Sequence, residues 1–169
     1  VCIVGPSGCG KTTMLNLVAG LDQTAEAAIE FGGKSDAKAS RISYMFQTPR
    51  LLPWATVREN VRLVLPPQDA DRGHAEALLE QMKLGDRLDE YPNRLSGGMQ
   101  RRVALARAFV TEPELLLLDE PFISLDGPVA DHLRGILLQL WRAQPTTVLF
   151  VTHDLREAIY LADRILFLS

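Results

Sequence analysis

Short apolar runs punctuate the chain at Val1 to Val4, Leu115 to Leu118, Val148 to Val151 and Ile165 to Leu168, and the stretches between them carry helical spacing. Runs of that length bounded by helical patterns predict buried parallel strands joined by crossover helices, an α/β core. From about Thr56 to Val110 no strand candidate interrupts a series of helical patterns, so residues 56–110 read as a helical insertion between core segments 1–55 and 111–169. Inside it, Thr56 and Glu59 have the spacing of a capping box, and Ala75, Leu78, Leu79 and Met82 make one apolar face with a stop expected at Gly85. Pro66-Pro67 and Gly32-Gly33 mark turns. The least regular stretch, 22–46, predicts short strands at Ile29 to Phe31 and Ile42 to Phe46.

Chemistry is concentrated where these elements end. Gly5, Pro6, Ser7, Gly8, Cys9, Gly10, Lys11 and Thr12 fit G-x-x-x-x-G-K-[ST] between an apolar strand and a helix expected over Thr12 to Ala19, terminated by Gly20. Glycines let consecutive backbone N–H groups wrap phosphate oxygens, and the helix N-terminus that continues through Thr13 favours an anion. Lys11 would reach the β- and γ-phosphates and Thr12 would offer a hydroxyl to Mg²⁺. Cys9 reads as a small filler residue rather than a redox centre.

Leu115 to Leu118 runs into Asp119 and Glu120, and a carboxylate at the C-terminal end of a parallel strand faces the ligand crevice. Asp119 would hold Mg²⁺ and Glu120 would polarise the attacking water. A third constellation, Leu95-Ser96-Gly97-Gly98-Met99-Gln100, opens a helix whose apolar face is Val103, Ala106 and Phe109 or Val110. Ser96 is a natural N-cap, but two glycines behind a cap cost helix stability, about 1 kcal/mol each against Ala. A close approach to that backbone is implied. Because the first helix already serves the phosphates, this second N-terminus is expected to address a nucleotide held by another subunit.

Composition narrows the field. With 169 residues and 47% hydrophobic content the chain can bury a core as one domain. A net charge of −3 with dispersed Lys and Arg disfavours nucleic acid as the main ligand. No apolar run approaches the roughly 20 residues that cross a bilayer, so a membrane link would come through a partner. Two cysteines, Cys2 and Cys9, fit neither a zinc site nor a disulfide scaffold and suit a reducing cytosol. The start at Val1 and the end just after an apolar run suggest a piece cut at both ends from something longer.

The phosphate loop, the Leu95–Gln100 signature and the Asp119-Glu120 strand, in that order, resemble the ATPase subunits of ABC transporters over the whole chain. Gln47, Ser124-Leu125-Asp126 and His153 fall where that family has smaller elements. The resemblance implies a P-loop NTPase (RecA-like) parallel sheet with an inserted α-helical subdomain and a small antiparallel β region. It implies ATP and Mg²⁺ as cofactors, with Glu120, His153, Lys11 and Gln47 catalytic and Thr12, Gln47 and Asp119 near the metal. Ser96, Gly97, Gly98, Gln100 and Asp126 would face ATP across a dimer. Partners so implied are a second copy of the ATPase, transmembrane permease subunits and, indirectly, a solute-binding protein, at the cytoplasmic face of the inner membrane.

The segments from Arg50 to Val61 and from Phe150 to Asp163 look like the nitrate, sulfonate and taurine importer ATPases. There the apolar Leu51-Leu52-Pro53-Trp54 would face a permease helix; an alternative is a strip tucked under the helical subdomain. Three departures stand out. The family's adenine-stacking aromatic lies upstream of Val1; Ile123 stands where Gly is common; and Thr24 to Ala28 lacks an expected Gly. Two other readings remain open here, a soluble ABC ATPase acting on nucleic acid or ribosomes and a degenerate ATP-binding regulator.

Overall fold

A computed structural model describes residues 1–22, 29–30, 41–69 and 73–169. Five strands form one parallel sheet in the order β2-β3-β4-β1-β5: β1 (Cys2–Val4), β2 (Ile42–Met45), β3 (Leu115–Asp119), β4 (Thr147–Thr152) and β5 (Ile165–Phe167). Each expected run from 1–4, 42–46, 115–118, 148–151 and 165–168 is therefore a strand, with ends shifted by a residue. Ile29 and Glu30 lie in no strand, while Phe31, the Gly32-Gly33 turn, the Thr24–Ala28 loop and most of the expected antiparallel β region fall outside the described residues.

The central strands β1, β3 and β4 are buried on both faces because they alternate apolar side chains to each side, whereas edge strand β5 leaves Leu166 and Phe167 exposed. Leu116 and Leu118 of β3, Val4 and Cys2 of β1 and Phe150 of β4 join one cluster. Leu115, Leu117, Ile3 and Val151 join another with Leu15 of helix α1 (Lys11–Val18). Such two-sided burial is what turns an alternating strand into a continuous apolar run.

Five more helices follow: α2 (Val57–Arg62), α3 (His74–Gln81), α4 (Gly97–Phe109), α5 (Gly127–Ala143) and α6 (Leu155–Leu161). The capping box forms, with Thr56 Oγ1 accepting from Glu59 N–H at 3.2 Å and Glu59 Oε2 accepting from Thr56 N–H at 2.7 Å. Ala75, Leu79 and Met82 are buried and Leu78 packs partly buried against them. The helix stops before Gly85, however: Lys83 takes the left-handed position at φ +57°, and Gly85 opens a short 3-10 turn. Burial of both Met82 and Leu84 fixes the exit, so tertiary packing rather than the glycine chooses the stop. Val57, Val61 and Leu79 share one cluster with Val103, Leu116 and Leu118, so the helical stretch and the sheet are packed through a common interior. Among the described residues no helix is long and apolar enough to cross a membrane.

Candidate functional site

Register brings three motifs to within one residue of the same level. β1 and β3 both pair with β4, with Val4 opposite Thr152 and Asp119 opposite Val151. The residues that follow, Gly5, Glu120 and His153, therefore leave the sheet side by side at its C-terminal edge, where open α/β sheets bind ligands.

The loop after β1 turns through Gly8 (φ +85°) and Gly10 (φ +95°), and nothing lies within 4 Å of where a Cβ would stand on either. Only glycine takes that backbone without strain, and the open side is where phosphate oxygens would approach the α1 N-terminus. Gly5 is constrained differently: a Cβ there would come 2.4 Å from Leu168 O and 2.7 Å from Cys9 Sγ. Lys11 is 5% exposed, and its Nζ donates to Gly5 O and Pro6 O, both at 2.8 Å. The ammonium is thus held over the loop it would serve. Pro6, Ser7, Thr12 and Thr13 are exposed along the same rim.

Opposite stands Asp119, 2% exposed. Its Oδ1 accepts from Thr12 Oγ1 at 3.1 Å and its Oδ2 from Tyr44 O–H at 3.5 Å. Burial pushes this carboxyl above the usual range, while the Thr12 hydrogen bond pulls it back. A hydroxyl and a carboxylate oxygen 3.1 Å apart are hard donors suited to Mg²⁺, which takes one or two protein ligands and fills its shell with phosphate and water. The same burial, with the nearby Asp119 charge, raises the Tyr44 phenol, so it stays a donor.

Glu120 sits at φ +44°, off the pleat of β3, its N–H bonded to Val151 O at 3.0 Å. Its Oε2 lies 3.1 Å from His153 Nδ1; with the carboxylate ionised the ring N–H is the donor. The His153 side chain is 52% exposed and the Glu120 side chain 12%. His153 is fixed from behind: Asp154 N–H bonds Thr152 Oγ1 at 3.0 Å and Asp154 caps α6 through Arg156 N–H at 2.7 Å. Thr152 in turn donates to buried Glu157 at 2.6 Å, whose carboxyl burial raises above the usual range.

The turn after Glu120 resolves the Ile123 question. Positive φ falls at Ser124 (+60°), and Ile123 is not among the left-handed residues, so no glycine is needed there. Asp126 is the N-cap of α5, accepting from Val129 N–H at 3.2 Å.

The signature segment stands apart from this cluster. Ser96 caps α4 through Met99 N–H at 3.3 Å, and Gln100 Nε2 donates to Pro92 O and Leu95 O at 2.9 and 3.3 Å. A Cβ on Gly98 would meet Val129 Cγ1 at 2.8 Å, which explains that glycine within the chain. Gly97 has nothing within 4 Å and faces open space. Gln47 is exposed just beyond β2, its carbonyl engaged by Arg101 at 3.1 Å.

Two side chains that hold loops beside the site were not singled out in the sequence. Asn60, fully buried, accepts from Leu52 N–H at 2.7 Å and donates to Leu52 O, Ala55 O and Thr56 O at 3.0 to 3.1 Å. It pins the loop that presents Trp54, which is 73% exposed and so is not tucked under the helices, although Leu51 packs against the core. Arg101 is the second, and its signal was its position on a face that otherwise buries apolar groups.

The ABC transporter family profile matches residues 1–123. The aliphatic sulfonates import ATP-binding protein SsuB of Bacillus anthracis is 44% identical over all of this chain and 68% of its own length. That of Cupriavidus necator is 49% identical over all of this chain and 56% of its own. Among solved structures, the dimeric post-hydrolysis state of the ATP-binding cassette MJ0796 bound to ADP and Pi superposes with a TM-score of 0.84 at 32% identity, covering 99% of this chain and 80% of that one. Sequence and fold agree with the geometry of the strand ends, and the chain belongs to the ABC transporter family.

Proposed function

We propose that the chain is the ATP-binding and ATP-hydrolysing part of an ABC importer for aliphatic sulfonates or similar small anions, such as nitrate or taurine. The observation that carries this is the convergence of Lys11, Thr12–Asp119 and Glu120–His153 at the ends of three neighbouring strands. The relatives named for sulfonate import support the choice of cargo class.

In this reading the α1 N-terminus and the amides of Gly8 to Thr13 bind the phosphates, and Lys11 moves from its carbonyl partners to the β- and γ-oxygens. Thr12, Asp119 and Gln47 would hold Mg²⁺, which when bound supplies charge neutralisation. Glu120 accepts a proton from the attacking water at its carboxylate, and His153 keeps that carboxylate aimed and hydrogen-bonds the γ-phosphate. Open space beside Gly97 supports a composite site, in which Ser96, Gly97, Gly98 and Gln100 of one copy, together with Asp126, face ATP on the other. Residues 1–55 and 111–169 form the catalytic core and about 56–110 the helical subdomain. The exposed Trp54 on its pinned loop supports an apolar foothold for the permease, and with it a peripheral position at the cytoplasmic face of the membrane.

The test is Mg²⁺-dependent ATPase activity of the full-length protein against protein concentration, with sedimentation in parallel. Turnover rising faster than linearly while dimer accumulates supports the composite site. Turnover per monomer that stays constant in a sedimenting monomer would sink it.

A further inference from the structure

Arg101 lies in the second turn of α4 and is 8% exposed. Its NH1 donates to Gln47 O at 3.1 Å and to Pro121 O at 3.3 Å, two carbonyls that are 54 and 20 residues away in sequence. Among the described residues it forms no ion pair with a carboxylate. Burying a cation against neutral carbonyls is costly, and burial does depress this guanidinium's affinity for its proton. What a guanidinium offers in exchange is a rigid fork that can hold two backbones at once.

Those two backbones matter. One begins the loop that Gln47 opens after β2, and the other is the residue that directly follows Glu120. Arg107, later on the same helix, holds the far end of the first loop through Pro49 O at 2.7 Å and Arg50 O at 3.0 Å. Arg107 therefore fastens one loop to α4, whereas Arg101 fastens that loop and the Glu120 turn together. The N-cap Ser96 stands about 7.5 Å along the helix axis from Arg101 at 1.5 Å per residue. A rigid rod of that length carries any shift of its N-terminus to the fork.

We propose that Arg101 is a positioning residue that ties the placement of Gln47 and Glu120 to the set of α4, so that engagement of Ser96 to Gly98 by a second copy is felt at the chain's own hydrolytic carboxylate. This rests on the composite-site reading above. Arg101 acts through the two segments it holds.

The experiment uses the full-length protein with Mg²⁺ and compares wild type, Glu120→Gln, Arg101→Met, Arg101→Lys and the double variant Arg101→Met with Glu120→Gln. Nucleotide affinity is titrated with a fluorescent ATP analogue, kcat and KM are measured separately, and ATP-driven dimerisation is followed by sedimentation. Arg101→Met should lower kcat roughly 10- to 100-fold, as small misplacements do, with KM and analogue affinity within about threefold of wild type. Arg101→Lys should fall between the two, because a single ammonium satisfies the carbonyls less rigidly. The double variant should dimerise more weakly with ATP than Glu120→Gln alone. An unchanged kcat, or a kcat that falls only in step with analogue affinity, overturns the assignment. If Arg101→Met shows no cooperative melt, Arg101→Lys decides by the same criterion. Hydrogen exchange on Glu120→Gln needs no Arg101 variant at all. There ATP should slow exchange in residues 48–50, 122–125 and α4 together, and one loop responding without the other overturns the tie. If Glu120→Gln neither loses turnover nor dimerises, the composite-site reading has failed, independently of Arg101.

Discussion

The strand-end cluster and the N-terminus of α4 use similar parts in opposite ways. At the strand ends the polar groups bind one another: Lys11 is held by the Gly5 and Pro6 carbonyls, Thr12 by Asp119 and His153 by Glu120. At α4 the polar side chains turn back on their own segment, with Ser96 capping Met99 and Gln100 tying Pro92 and Leu95, while Gly97 looks into open space. The first region is built of side chains that hold one another, and in the proposed function those side chains are the working groups. The second is assembled to leave its backbone bare. In the composite site proposed above, the strand ends of one copy and this helix N-terminus of the other are the two halves, and the difference teaches that one half works through side chains and the other through backbone.

The largest break in that comparison is Glu120→Gln. Removing the base should lower kcat at least 100-fold while ATP affinity stays within a few-fold, measured by single-turnover hydrolysis beside a binding titration. Turnover near wild type would remove Glu120 from the working half. Next is Asn60→Ala, which strands Leu52 N–H and Ala55 O around a fully buried position, while Leu52 O and Thr56 O keep the N–H groups of Ala55 and Asn60. A loss of about 2–3 kcal/mol is expected from urea unfolding, together with faster exchange at Leu52.

A finer test separates the two glycines of the signature. Gly97→Ala should leave or raise stability by up to about 0.5–1 kcal/mol, since a methyl meets nothing in the chain, yet lower ATPase activity if a partner's nucleotide approaches there. Gly98→Ala meets Val129 and should lose that helix gain. Equal activity for Gly97→Ala and wild type would close the bare backbone as a functional surface.

The smallest effect concerns the support behind His153. Burial raises the Glu157 carboxyl, so its charged form costs stability above its raised folded value, and the cost shrinks as the pH falls through that value and is gone below the usual carboxylate range, where the unfolded chain is protonated too. Glu157→Gln should therefore melt higher than wild type at neutral pH, and the difference should shrink as the pH falls toward the usual carboxylate range and vanish below it. A constant difference across pH would assign it to packing instead.

Much of this was legible where a local signal and a tertiary need coincide. The central strands β1, β3 and β4 read directly, because two-sided burial leaves apolar runs, and the phosphate loop read because its glycines answer a backbone demand within a few residues. The capping box and the Ser96 and Asp154 caps are equally local. What escaped was decided at a distance. Lys83 rather than Gly85 ends α3 because Met82 and Leu84 must both be buried. Asn60 and Arg101 look like ordinary helix residues until the loops they hold are folded against them. The turn past Glu120 puts its left-handed residue at Ser124, one place beyond the position that sequence comparison suggested.

The level that Gly5, Glu120 and His153 share to within one residue has a consequence for what insertions the chain can absorb. Strand length here acts as a ruler. Deleting one residue from β4 would retract His153 by about 3.3 Å and would also turn Phe150 and Val151 to the wrong faces, a double fault that no side-chain substitution could mend. An added residue in the turn between α5 and β4, near Gln144 and Pro145, changes neither register nor reach. Length variation is therefore tolerable at the rear edge of the sheet and forbidden inside the strands that carry the chemistry forward.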